Sequence, residues 1–297
     1  MKSRTETEMM NLILSTAKED ERVRAVILNG SRANPNLKKE IFQDYDIVYI
    51  VREMESFICD HSWVDVFGER MMMQMPEEKV LPPADGNGRF PYLMQFVDGN
   101  RIDLTLISAE RMDELLEPDS LSVLLLDKDG LIGSLPPSSD RDYHIKKPDA
   151  REFADLCNEF WWITMNVSKG LWRRELTYAM FMHEQINRNV LITMLEWKSG
   201  MTADFTKSAG KAGKYLPDFL SAGDWEQFQA TYSDAEFEHI WDALFTMCSL
   251  FRRTAVEVAE KLCYEYPFED DKRVTGFLKH IRSLPADAQS IYLKKIP

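Results

Sequence analysis

The hydrophobic period of this chain changes near its middle, and that change limits the folds open to it. In the first half the apolar residues come in short β-rich runs: Val23 to Leu28, Phe42 to Val51, Phe90 to Val97, Arg101 to Ser108 and Val123 to Leu126. In the fourth run Ile102, Leu104 and Leu106 alternate with Arg101, Asp103 and Thr105, the period of a strand with one buried face. Only Asp98-Gly99-Asn100 separates it from the run before, which predicts an antiparallel hairpin. One helix-period segment, Met9, Met10, Ile13, Leu14 and Ala17, precedes the strands. Pro76 to Gly88 collects Pro, Gly and acids and reads as a mobile loop.

Beyond Leu135-Pro136-Pro137-Ser138-Ser139 and Lys146-Lys147-Pro148 the period becomes three and four. Asp149 and Glu152 have capping-box spacing, and Phe153, Leu156, Phe160, Ile163 and Val167 follow on one face. A second helix is expected from about Arg173 to Trp197, with Leu176, Met180, His183, Val190 and Met194 on its apolar stripe. A third opens with a capping box at Ser233-Asp234-Ala235-Glu236 and runs through Phe237, Ile240, Trp241, Leu244, Phe251 and Leu262. The fold class is therefore α+β: an N-terminal mixed sheet with helices over residues 1–147, then an all-helical C-terminal domain over 148–297.

Bulk properties narrow the partners. The 297 residues carry 49 acids against 36 bases, a net charge of −13. A field of that sign disfavours nucleic acid and anionic membranes and favours cationic small molecules. No apolar run approaches the ~20 residues of a membrane span, and the four cysteines show no metal-binding or disulfide spacing. A cytoplasmic protein, monomeric or a weak homodimer, is expected.

Chemistry is suggested by three acids. Asp44 and Asp46, one residue apart on a predicted strand, project to one face, and Asp103 projects from the polar face of a later strand. Three converging carboxylates repel one another unless a divalent cation sits among them. Upstream, Gly30-Ser31 forms a small-residue turn whose backbone can approach a phosphate, and Arg32 offers a cation for a triphosphate. Carboxylates that hold two Mg²⁺ ions can clamp both the attacking and the leaving oxygens of a phosphoryl centre. The expected reaction is attack of a hydroxyl on the α-phosphate of ATP, with pyrophosphate leaving.

The same stretches carry a resemblance. Gly30-Ser31-Arg32, Phe42-Gln43-Asp44-Tyr45-Asp46-Ile47, Asp98-Gly99-Asn100, Asp103-Leu104-Thr105-Leu106-Ile107 and Leu125-Leu126-Asp127-Lys128-Asp129 resemble the aminoglycoside 6-adenylyltransferase (streptomycin adenylyltransferase) family of the DNA polymerase beta-like nucleotidyltransferases. In the helical half Arg151-Glu152-Phe153, Cys157-Asn158-Glu159-Phe160-Trp161 and Lys169-Gly170-Leu171 match as well, and the likeness spans residues 1 to about 267. The resemblance implies Mg²⁺ held by Asp44, Asp46 and Asp103, ATP at the Gly30-Ser31 turn, and transfer of AMP to a streptomycin hydroxyl.

Residues of the helical half are assigned on weaker signals. Lys169 is a candidate for the ATP triphosphate, with Lys211 and Lys214 behind it. A carboxylate base for the acceptor hydroxyl is sought in Glu175 or Glu184. Phe181 falls off the apolar stripe, with Tyr178, Glu184 and Gln185, as a pocket or interface wall; the resemblance implies an Asp in its place. His183 reads as a packed core residue, and the Trp161-Trp162 pair as half core, half wall. The acidic site that a guanidinium-bearing acceptor needs is expected from Glu159, Glu77, Glu78 and Asp85. A different hydroxyl acceptor, or a non-catalytic nucleotide-binding protein on the same fold, are the alternatives.

Overall fold

Thr5 starts the first helix by accepting a hydrogen bond from the Glu8 amide, while the Glu8 carboxylate accepts one from the Thr5 amide. The resulting α1 (Glu6–Glu19) buries Met9, Ile13 and Ala17, the stripe read from the sequence. The computed structural model describes residues 2–116 and 119–292. Six strands follow α1: β1 (Val23–Asn29), β2 (Tyr45–Val51), β3 (Arg70–Gln74), β4 (Phe90–Phe96), β5 (Arg101–Ser108) and β6 (Ser122–Asp127). Two one-turn helices, α2 (Glu55–Ile58) and α3 (Met112–Leu115), lie between them.

The strands form one mixed sheet in the order β3-β4-β5-β2-β1-β6, with β2 and β5 parallel and the other neighbours antiparallel. The β4–β5 hairpin turns at Asp98-Gly99-Asn100 as expected, with Gly99 in the left-handed region at φ 91°. Alternation sorts each strand's residues to two faces. One face packs Val26, Leu28, Ile47, Tyr49, Leu104 and Leu106 against α1, and the Tyr49 hydroxyl donates to the Ile13 carbonyl at 2.6 Å. The other face buries a smaller cluster, Ala25, Ile27, Val48, Ile50, Ile107 and Leu115. Part of that second face, toward the starts of β2 and β5, is left to polar residues.

Two differences from expectation concern edges. Phe42 to Val51 was expected as one strand, but β2 begins at Tyr45, and Ile41 and Phe42 lie exposed ahead of it. Edge strand β3 escaped the sequence reading because Arg70-Met71-Met72-Met73-Gln74 has no polar–apolar alternation. Within the segment expected as a loop, Pro76–Glu78 form a single 3₁₀ turn.

The first compact unit ends at Asp142 and the second begins at Tyr143. The second is helical: α4 (Ala150–Trp172), α5 (Leu176–Met180), α6 (Arg188–Thr202), α7 (Ala222–Gln229), α8 (Phe237–Leu262) and α9 (Phe268–Ser283). Asp149 and Glu152 form the predicted capping box of α4. The box expected for α8 is displaced: Glu236 is the N-cap and makes no side-chain cap, while Asp234 accepts from the Glu236 amide at 2.9 Å. Phe160 of α4 and Phe251 of α8 stack with ring centroids 3.7 Å apart at the centre of the core. The single helix expected from Arg173 to Trp197 is α5 and α6 joined by a π-helical turn, Phe181–Asn187. Periodicity reads the residues on either side as one helix because a π-turn interrupts the hydrogen-bond ladder without ending the helix.

Candidate functional site

The parallel pairing of β2 with β5 sets Asp46 and Asp103 side by side as register partners. In the same row, Asn29 of β1 pairs with Asp46 and Leu93 of β4 with Asp103. Asp44 lies one residue ahead of β2. The three acids feel one another: burial first, then the charges of Asp103 and Asp44, push the Asp46 carboxyl up to about 6. Asp44 is raised as well, by burial and by Asp103, with Arg101 opposing.

Gly30 closes over this cluster. It follows β1 at φ +70°, opening a four-residue 3₁₀ turn, Gly30–Ala33. A Cβ at this position would meet Asp46 Oδ2 at 2.2 Å, so only glycine fits. The turn is a single 3₁₀ turn and not the start of a long helix, so a phosphate there would meet loop amides without a helix dipole behind them.

Arg32 departs from its expected place. Its guanidinium lies over the Tyr45 ring at 3.8 Å and donates to the carbonyls of Gln43, at 2.7 Å, and Asp44, at 3.1 Å. The side chain is nearly buried. It buttresses the approach to β2 and fixes the backbone of Asp44, and it does not present a free cation to a triphosphate.

The cation beside the acids is Arg101. Two residues before Asp103 and on the same strand face, it donates Nε to Asp103 Oδ1 at 2.7 Å and Nη2 to Oδ2 at 2.8 Å. Its Nε also stands 3.7 Å from Asp44 Oδ2. The sequence holds the signal, since alternation places residues i and i+2 together, but polarity alone marks Arg101 only as one of the polar residues of its strand. Among the described residues no group of three acids, histidines or cysteines is arranged as a ready metal cage. The donor chemistry nevertheless suits a hard cation: three carboxylates, with Asp46 pushed up by burial first and then by the charges of the other two.

One step further along the same face, Val48 and Thr105 form part of the lining of a cavity of about 450 Å³. Asn29, Leu93, Glu77 and Asp85 line it too, which brings two of the expected acidic-site residues to the acid face of the sheet. Glu78 instead pairs with His61 Nε2 at 3.0 Å.

A family model described as streptomycin adenylyltransferase matches residues 3–281. The chain belongs to that family. An aminoglycoside 6-adenylyltransferase of Campylobacter jejuni is 42% identical over 269 residues, 91% of this chain and 93% of the relative. The enzyme of that name from Bacillus subtilis (strain 168) is 42% identical over 279 residues, 94% of this chain and 98% of the relative. A crystal structure of an aminoglycoside 6-adenyltransferase from Bacillus subtilis is 38% identical, covers 95% of this chain and all of that one, and aligns with a TM-score of 0.47.

The remaining expected residues of this streptomycin adenylyltransferase family member lie in the helical unit. Lys169 is exposed on α4, which continues three residues beyond it to Trp172. Lys211 begins a 3₁₀ turn, and Lys214 Nζ stands 5.0 Å from the centroid of the Tyr215 ring. Glu159 is exposed on α4. Trp161 is 2% and Trp162 60% exposed, the half-core, half-wall division expected of the pair. Both line a cavity of about 720 Å³ with Asn158, Met165, Glu265 and Asp270. Phe181 stands at the start of the π-turn, 53% exposed and outside the core. His183 is fully buried with Nε2 3.2 Å from the Thr231 carbonyl, and burial lowers its pKa, as befits a packed neutral ring.

The two candidate bases separate. Both carboxylate oxygens of Glu184 are taken by Arg188, through its Nε and Nη2. Arg188 in turn donates to Thr231 Oγ1 at 2.7 Å and lies 3.4 Å over the Tyr232 ring. This correction follows from the helix itself: residues four apart meet, and here they form a nearly buried clamp across the π-turn. Glu175 precedes α5, half-exposed, with a single long ion pair to Arg173 at 3.8 Å.

Proposed function

We propose that this protein transfers AMP from ATP to a hydroxyl group of an aminoglycoside, in a reaction dependent on Mg²⁺. The observation that carries the reading is the register pairing of Asp46 and Asp103 beneath the Gly30 turn, in a chain that belongs to the streptomycin adenylyltransferase family. Asp44, Asp46 and Asp103 would hold the metal. Bound there, Mg²⁺ supplies charge neutralisation and Lewis-acid polarisation of the phosphate oxygens. Gly30 lets the backbone come close to the nucleotide phosphates. Arg32, by fixing the Gln43 and Asp44 carbonyls, keeps the Asp44 carboxylate at its post.

In the transfer the acceptor oxygen bonds to the α-phosphorus, the bond to the bridging oxygen breaks, and pyrophosphate departs. The acceptor's proton passes to a carboxylate. Of the two expected bases, Glu175 has its oxygens available, whereas Glu184 gives both to Arg188. Glu77 and Asp85 beside the acid face, and Glu159 on α4, suit the charge of a guanidinium-bearing acceptor. The free state of all four cysteines, two of them buried, agrees with work in the reducing cytoplasm, where ATP is found. Among the described residues no helix is long and apolar enough to cross a membrane.

A second reading is favoured by Phe181. The resemblance implies an Asp there, and a large exposed aromatic cannot bind a cation as a carboxylate does. The acceptor is then a related molecule other than streptomycin. One experiment separates the readings: incubation with ATP, Mg²⁺ and a panel of aminoglycosides, followed by mass spectrometry for the drug carrying one AMP. An adduct with streptomycin, absent in Asp103→Asn, supports the first; an adduct only with another acceptor supports the second. No adduct with any of them overturns both.

A further inference from the structure

We propose that Arg101 is an exchangeable counter-ion of the acid cluster, competing with the incoming metal for the oxygens of Asp103 and Asp44. The inference rests on the reading that these acids hold Mg²⁺.

Four observations support it. Arg101 engages both oxygens of Asp103, so a metal using that carboxylate competes with the guanidinium for its charge. The same guanidinium stands 3.7 Å from Asp44, and so reaches two of the three acids at once. It is 39% exposed and opens β5 directly after the Asp98-Gly99-Asn100 turn, so it can swing away without disturbing the core. Finally, among the described residues no group of three or more acids, histidines or cysteines is placed to hold a metal ion.

The electrostatic balance favours exchange. Three carboxylates carry three negative charges; one guanidinium cancels one of them, and a divalent cation cancels two. Arg101 therefore keeps the acids together in the metal-free protein but yields to a metal at sufficient concentration. Once released, it is a planar cation with its donors free at the place where the nucleotide's phosphates arrive, the geometry in which arginine binds phosphate best. One side chain thus opposes metal alone and assists metal with nucleotide.

Opposite signs make the test specific. Mn²⁺ binding in the absence of nucleotide is followed by electron paramagnetic resonance, and binding of a non-hydrolysable ATP analogue with Mg²⁺ by calorimetry. Wild type, Arg101→Gln, Arg101→Lys and Asp103→Asn are compared. Arg101→Gln should bind Mn²⁺ about 2- to 10-fold more tightly, the range of a partly exposed bidentate pair, and the ATP analogue more weakly. Arg101→Lys, which keeps the charge but loses the fork, should fall between. Equal or weaker Mn²⁺ binding by Arg101→Gln, with Asp103→Asn impaired, overturns the exchange and leaves the metal site standing. Mn²⁺ binding unaffected by Asp103→Asn overturns the metal reading and the exchange with it. Should the Gln variant fail to fold, the Lys variant alone decides, since tighter Mn²⁺ binding is required of it too.

Discussion

Asp46 and Asp103 sit opposite one another in a parallel strand pair, each near the start of its strand. Parallel strands bring their N-terminal ends to the same edge of a sheet, so two acids 57 positions apart arrive at one spot with no loop needed to aim them. The rigidity of that arrangement lets individual substitutions be read cleanly.

Gly30→Ala puts a methyl group where Asp46 Oδ2 now lies, at a backbone φ of +70°. The strained backbone alone costs about 1–2 kcal/mol, and displacement of Asp46 should reduce adenylyl transfer by at least about 100-fold. Circular dichroism should show a folded protein melting several degrees lower, with steady-state kinetics reporting the loss.

Asp46→Asn should stabilise the metal-free protein at neutral pH while ending catalysis. A carboxyl raised to about 6 in the fold from a starting value of 3.8 holds its proton more tightly when folded. Its contribution to stability is therefore full below the unfolded value, declines as pH rises between the two, and is absent above 6. Replacement by Asn removes that decline. The gain in thermal unfolding at pH 7.5 is at most about 3 kcal/mol, reduced by solvent screening. Added Mg²⁺ should raise the melting temperature of wild type but not of the variant.

Asp98 gives the opposite sign. Arg4 donates Nε to its Oδ2 at 2.6 Å, and this pair, with the Asn100 amide, holds the Asp98 carboxyl well below the usual carboxylate range. A depressed value stabilises the fold above the ordinary carboxyl value of about 4, and that stability is lost as pH falls below it. Melting temperature measured against pH should fall on the acid side in wild type. In Asp98→Asn it should be lower at pH 7 and flatter below pH 4.

Glu184→Gln and Glu175→Gln should differ in kind. The first leaves the nearly buried Arg188 without its partner and should cost about 1–3 kcal/mol. The second should shift stability by no more than about 0.5 kcal/mol but lower kcat by about 10- to 100-fold. Urea denaturation and kinetics on the two proteins test both halves. A kinetic defect confined to Glu184→Gln would assign the base the other way.

Phe181→Asp replaces an exposed ring that packs into no core, so the melting temperature should stay within a degree or two. A carboxylate there should lower KM for streptomycin by about 5-fold, the worth of one exposed ion pair. An unchanged KM would remove Phe181 from acceptor recognition.

Much of the architecture was readable from side-chain period alone. The hairpin at Asp98-Gly99-Asn100, the α1 stripe and the capping box of α4 are local features, and local chemistry specifies them. So are the strand faces of Asp46 and Asp103 and the burial of His183, since alternation and helical phase determine which face a residue takes; that the two acids meet depends on the parallel pairing of β2 with β5. Apart from Arg101, two residues from Asp103, the rest depends on partners distant in sequence or on broken periods. Arg32 carries a charge that suggests a phosphate, yet its donors go to carbonyls eleven and twelve residues on. Glu184 looks like a free carboxylate, yet Arg188 four residues on takes both its oxygens, and Thr231 helps hold that guanidinium in place. β3 has neither alternation nor β-branched residues, and only pairing with β4 makes it a strand.

The π-turn at Phe181–Asn187 also bears on how such a protein changes its chemistry over generations. A π-turn accommodates an added residue within a helix, and one residue of α-helix is about 100° of rotation. Loss of a single codon in this stretch would let α5 and α6 run on as one regular helix. The face carrying Tyr178 and Phe181 would then swing by about a quarter-turn relative to everything after it. A point substitution exchanges one side chain; a deletion here re-aims a whole surface.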